Sequence, residues 1–244
     1  YAKFKVRSYK ITINPDNATT GSTISGWYYE AGKAASSQTI KTSTEITMVY
    51  GSKVTMTAPQ KTGYTFGGWE KIKGAGTLTS STTGNSTFTC GADVATIKAK
   101  WTTTPYTITF DANGGSVTPP SMGYTIEKDI SLPTPTRTGY TFDGWKVKAD
   151  SGNWKTTDSL YKGTVSKGKY GNVTLVAQWT ATPYTITFEA NGGSVTPLSM
   201  GYTIEKDISL PTPIRTGYTF DGWKVKADSG NWKTTDSLYK GTVS

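Results

Sequence analysis

The chain has 244 residues, 46 of them threonine and 27 glycine, a composition that favours strands and turns over helix because β-branched side chains are stiff and glycine breaks helices. Lys and Arg number 26 against 17 Asp and Glu, a net charge of +9, with no His and one Cys, so the commonest general base, an intrachain disulfide and a Cys/His metal cluster are all excluded. No run of 18 apolar residues and no apolar leader occurs, and the segment is expected neither to insert into a membrane nor to carry its own export signal.

Taken in chain order, Tyr1-Ala2-Lys3-Phe4 reads as the tail strand of a preceding repeat, because Phe4 stands five residues before Tyr9 just as Trp101 stands five before Tyr106 and Trp179 five before Tyr184. Residues 5–104 form a first, diverged module. Its stretch 14–43 is long and irregular and lacks an Asn-Gly-Gly turn; KTGYTFGGW follows at Lys61 to Trp69, and the alternating Ile97-Lys98-Ala99-Lys100-Trp101 closes it. The second module, 105–182, opens with Tyr106-Thr107-Ile108-Thr109-Phe110, whose strict alternation marks a half-buried strand. Asn113-Gly114 then supplies the pair that tolerates positive φ in a type I′ turn, and a hairpin is the natural reading. Tyr140-Thr141-Phe142 starts the next strand, ending at Gly144-Trp145, and Val173, Leu175, Ala177 and Trp179 share one face of the last. Between them a short helix within 155–168, opening at Thr157 or Asp158, is the only helix expected.

The third module, 183–244, repeats the second with a period of 78 residues; of 62 aligned positions 59 are identical, the differences being Asp111/Glu189, Pro120/Leu198 and Thr136/Ile214. So long a period calls for modules with their own cores, strung as beads, and not for a stacked solenoid. This module lacks a counterpart of Val173 to Trp179, which predicts an apolar groove with unpaired backbone groups. Two expectations follow: the segment is a window cut from a longer array that supplies the strand, or, by head-to-tail strand donation, residues 1–7 of one molecule complete the third module of the next.

Three ordered motifs, YTITFDANGG (Tyr106 to Gly115), GYTFDGW (Gly139 to Trp145) and VTLVAQW (Val173 to Trp179), carry a likeness to a known family. The repeat resembles the Listeria-Bacteroides repeat family, the B-repeat of internalin-type surface proteins, and residues 1–104 are similar to its divergent variant. The resemblance implies a β-rich α+β fold of tandem small β-grasp, ubiquitin-like modules in an exported, extracellular cell-surface protein whose anchor lies outside this segment. There such repeats serve as stalks or interaction modules.

For function, Tyr140, Phe142, Trp145 and Trp179, with Tyr218, Phe220 and Trp223, read as core aromatics on strands. Trp154 and Trp232 sit in the polar run Asp-Ser-Gly-Asn-Trp-Lys and admit two readings, a lid over a small core or an exposed aromatic that stacks on a ligand; with Trp27 and Tyr28 they are the ligand-binding candidates. The partners left open are a glycan, a wall polymer or a host surface protein, besides neighbouring repeats. Nucleic acid is not expected, because the charge by module runs +7, +2 and 0 and no nucleic-acid motif occurs. The Lys residues at 3, 5, 10, 98 and 100, with Arg7, read as edge-strand charges that block strand addition. The carboxylate pairs Glu127/Asp129 and Glu205/Asp207 read as solvated charges on a strand. No catalytic residue, cofactor site or metal site is expected. The chain is read as a non-enzymatic stalk or spacer, with a weakly binding, multivalent adhesive module and a strand-donating filament subunit as the alternatives.

Overall fold

The computed structural model describes residues 1–155, 159–228, 230–232 and 237–243. Among them every regular element is a strand, which corrects the α+β expectation to all-β. Residues 157 and 158, where the helix was to open, lie outside the described residues. The remainder of that stretch forms an extended bridge, Tyr161 with Trp145, and the short strand Thr164–Val165 on Ile130–Ser131. Gly163 at φ +67 turns the chain between the two.

The second unit shows the plan most clearly. Its sheet runs in the order Ser121–Tyr124, Tyr106–Asp111, Val173–Ala181, Tyr140–Asp150. Opening and closing strands are parallel neighbours, Ile108 to Asp111 beside Val173 to Val176, and the other pairings are antiparallel. Alternation decides the faces: Ile108, Phe110, Val173, Leu175 and Ala177 point into the core while Thr107 and Thr109 face water. Asn113 (φ 48) and Gly114 (φ 83) do make the tight turn, closed by Gly115 N–H on Ala112 C=O at 3.0 Å. The expected hairpin forms, through a connection longer than that turn alone. The chain first pairs Ser116 with Thr136 and only then returns, so that Tyr106 faces Tyr124.

The first unit keeps this plan and widens it. Ser8–Asn14 is parallel to the far part of Ser86–Thr103, which pairs along its length with Tyr64–Thr79. The stretch 14–43 is not irregular: it inserts Ser22–Ser25, Tyr28–Glu30, Lys33–Ala34 and Gln38–Ile40, and the antiparallel neighbour of the opening strand becomes Thr44–Val49. The tight turn survives without Asn-Gly, because Asp16 (φ 59) and Asn17 (φ 57) adopt the left-handed conformation that short polar side chains tolerate. Asp16 N–H binds Asn14 Oδ1 at 2.8 Å as Asn113 N–H binds Asp111 Oδ1 at 3.1 Å.

The third unit repeats the second as far as its strands go: Tyr184–Thr187 pairs Ser199–Tyr202, and Ile208–Ser209 pairs Thr242–Val243. Three separate apolar clusters result, one in each unit, centred on Ile11, Ile97 and Phe88, on Trp145 and Leu175, and on Phe188 and Leu210.

Candidate functional site

The motif [K/R]TGYTF proves to be a clamp on the tight turn. Arg137 lies 3.8 Å over the Tyr140 ring and donates from Nη1 to Asn113 C=O at 3.2 Å; Arg215 repeats both contacts with Tyr218 and Asn191, at 4.0 and 3.0 Å. In the first unit Lys61 takes the same place, 4.8 Å over Tyr64 and 3.1 Å from Asp16. A cation stacked on a tyrosine therefore holds the turn whatever the turn's sequence. From the other side the closing-strand tryptophan donates its indole N–H to the turn, Trp179 to Ala112 C=O at 3.0 Å and Trp101 to Pro15 C=O at 3.3 Å.

The ligand-binding candidates fare differently. Trp154 is 4% exposed, which overturns its reading as a binding aromatic and leaves it part of the core. Its indole N–H reaches the Tyr124 hydroxyl at 2.9 Å, and that hydroxyl donates to Gly171 C=O, so one relay ties three distant segments together. The rings of Tyr124 and Tyr161 stand edge-on to it at 5.9 and 5.1 Å. A polar loop could bury a tryptophan because the indole N–H finds this partner. Trp232 makes the same bond to Tyr202 at 2.9 Å and is half-buried. Trp27, also 4% exposed, packs in the first core and is likewise corrected. Tyr28 alone remains outward, 45% exposed beside Tyr29 with the same exposure.

Of the core motif, Trp145 and Phe142 are buried, with Trp145 donating to Pro133 C=O at 2.9 Å, while Tyr140 and Trp179 are half-buried. In the third unit Phe220 and Trp223 are half-buried and Tyr218 is 67% exposed, so Tyr218 is not a core residue. Tyr140 pairs with Ala181, whereas among the described residues Tyr218 has no such strand partner, and a groove of about 1010 Å³ runs past Ile186, Phe188, Phe220, Trp223 and Val225. Tyr1 to Phe4 form no strand, and both of their aromatic rings are exposed.

The charges also differ from expectation. Ser8–Asn14 and Ser86–Thr103 lie inside the sheet order, so Lys10, Lys98 and Lys100 are on interior strands and block no edge; they line the solvent face, Lys10 pairing with Glu45 at 3.1 Å and Lys98 with Asp16 at 3.6 Å. Residues 1–7 precede the first strand, which removes Lys3, Lys5 and Arg7 from it too. Glu127 lies in a turn and not on a strand, and accepts from the Tyr64 hydroxyl at 2.9 Å, while Asp129 accepts from Lys167 N–H at 2.8 Å. Cys90 is buried, and desolvation pushes its thiol up, away from the reactive thiolate. Among the described residues no cluster of three His, Cys, Asp or Glu could hold a metal, and no helix is long and apolar enough to cross a membrane.

Comparison with known proteins agrees with this repeat geometry. Residues 106–178 and 184–243 match the Listeria-Bacteroides repeat domain, and residues 33–105 match the divergent InlB B-repeat domain. The chain is 36% identical over 125 residues to internalin H of Listeria monocytogenes, covering 51% of this chain and 20% of that protein. It is 28% identical over 229 residues, 91% of the chain and 23% of the relative, to a protein of Evansella cellulosilytica named as a Gly-rich membrane protein. The chain thus spans about a fifth to a quarter of these relatives' length. With the closing strand, the clamped turn and the inward tryptophans in the places the matched motifs occupy, the chain belongs to the Listeria-Bacteroides repeat domain family and opens with a divergent B-repeat.

Proposed function

We propose that the segment is a non-enzymatic repeat of a cell-surface protein and works as a stalk that sets how far other domains stand from the cell. One observation carries this: the repeated aromatics turn inward and spend their polar atoms on their own unit, as Trp145, Trp154 and Trp179 do on Pro133, Tyr124 and Ala112. The aromatics that recur in each copy therefore serve its own fold. The three positions at which the copies differ lie outside the apolar clusters: Leu198 and Ile214 are exposed, and Glu189 keeps the lysine pair of Asp111, to Lys226 at 2.9 Å. Residues 5–104, 105–182 and 183–244 act as successive modules, a division supported by their separate cores. The sheet order of the second, with parallel first and last strands at its centre, supports a β-grasp-like plan whose connecting helix is replaced by extended chain.

Changing the number of 78-residue copies in the parent surface protein tests the stalk. Reach from the cell, measured by electron microscopy of a terminal tag, should grow in equal steps per copy; a reach that does not change with copy number would refute it. A second reading, weak adhesion, is favoured by Tyr28 and Tyr29, exposed on the unit that carries most of the positive charge. A glycan and wall-polymer array probed with the whole chain and with Tyr28→Ala decides it: binding lost in the variant supports adhesion, and no binding by either removes it.

A further inference from the structure

The two joints between units repeat one contact atom for atom. At the first, the Gly63 turn lies so close to Ile126 of the second unit that a β-carbon on Gly63 would stand 2.5, 2.9 and 3.0 Å from Ile126 Cδ1, Cγ2 and Cβ. At the second, Gly139 meets Ile204 of the third unit through the same three atoms in the same order, at 2.8, 3.1 and 3.2 Å. The unit that supplies Gly63 is diverged and the unit that supplies Gly139 is not, so the shared contact follows from the shared turn, with φ +80 and +76. A side chain at either glycine would collide with the isoleucine. Gly217, the equivalent turn of the third unit, has the same φ of +80.

The linkers leave little freedom around these contacts. Thr104 N–H donates to Gly63 C=O and Thr182 N–H to Gly139 C=O, each at 2.9 Å, and the hydroxyls of Thr104 and Thr182 meet those of Thr65 and Thr141 at 3.1 and 3.3 Å. The linker threonine is thus tied to the unit behind it, while the next strand begins at Tyr106 or Tyr184. Only Pro105 or Pro183 lies between, and proline fixes its own φ and holds the preceding threonine extended.

We propose that Ile126 and Ile204 are keys of one repeated joint, seated on the Gly63 and Gly139 turns, which sets each unit at a constant orientation on the unit before it. The array then extends as a stiff rod with a regular screw. This rests on the stalk reading and specifies its mechanics: a flexible string and a rod of equal contour length differ in reach.

The test places spin labels on the full chain at Thr109→Cys and Thr187→Cys, both on exposed strand faces; native Cys90 is buried and stays unlabelled. The native joint should give one narrow distance distribution. Ile204→Asp should broaden it at least about twofold, as a single populated arrangement gives way to several, and Ile204→Val should leave it narrow. Ile204 is 52% exposed and outside the third apolar cluster, so its own unit should stay folded; if aromatic circular dichroism shows otherwise, Ile204→Ala replaces it and should broaden the distribution likewise. Equal widths in native and variant chains, whether narrow or broad, would overturn the joint. The copy-number experiment reads the stalk itself independently of this result.

Discussion

Replacing Trp154 by alanine separates a structural tryptophan from a binding one. The side chain is 4% exposed, packs edge-on against Tyr124 and Tyr161, and donates to the Tyr124 hydroxyl at 2.9 Å. Truncating so buried a ring costs about 3–5 kcal/mol, through lost transfer energy and the cavity left behind. The closing strand Val173–Ala181 reports on it well, since it occurs once in a chain whose other second-unit peptides are nearly all duplicated. Hydrogen exchange of its amides should accelerate roughly a hundred- to several-thousand-fold at about 1.4 kcal/mol per factor of ten. Trp154→Phe loses the donor and the five-membered part of the ring together, and should cost more than the roughly 1 kcal/mol of the hydrogen bond but less than Trp154→Ala. Acceleration below about tenfold in Trp154→Ala would refute the core assignment and return this residue to the candidates for ligand contact.

Trp145 and Trp69 occupy the same motif position, yet Trp145 donates to Pro133 C=O whereas the buried Trp69 Nε1 has no described partner; Trp145→Phe should therefore destabilise its unit by about 1–2 kcal/mol more than Trp69→Phe, in exchange measurements on each unit. Burial raises the Tyr124 phenol above its ordinary 10.0, so the folded state keeps a proton that the unfolded chain gives up and stability should fall as pH rises past that value. Tyr124→Phe should flatten this alkaline decline in urea midpoints, and an unchanged slope would refute it. At the other end of the scale, the Lys61 hydrogen bond holds Asp16 below its usual 3.8, so its contribution is present above that value and is lost as pH falls through the folded pKa. With Lys61 and Asp16 exposed to 23% and 33%, Asp16→Asn should cost less than about 1 kcal/mol at neutral pH and nothing in acid, as read by urea midpoints at the two pH values.

The alternating strands were legible because period-two burial is written directly into Tyr106 to Phe110 and Val173 to Trp179. Their pairing was not: nothing local says that Ile108 lies beside Val173, a contact closed only by the whole module. The turn of the first unit was missed because Asp16-Asn17 lacks glycine, although its offset from Tyr9 equals that of Asn113-Gly114 from Tyr106 and was the signal available. Trp154 was legible only as one of two alternatives, core lid or exposed aromatic, because its neighbours in sequence are polar and its partners, Tyr124 and Gly171, come from elsewhere in the chain. The seat of Ile126 on Gly63 had no sequence sign beyond a glycine that a turn already explained.

Pulling on the chain would load the first and second units through their opening and closing strands. In the first unit Ile11 to Asn14 lies parallel to Ala95 to Lys98, and in the second Ile108 to Asp111 lies parallel to Val173 to Val176. Tension enters at the start of one strand and leaves at the end of its neighbour, so it slides the two past each other. The rungs between them then bear the force together instead of opening one at a time as in a peeled hairpin. Resistance to such shear is set by the unfolding rate and not by equilibrium stability. A chain loaded this way would yield in discrete steps, one unit at a time.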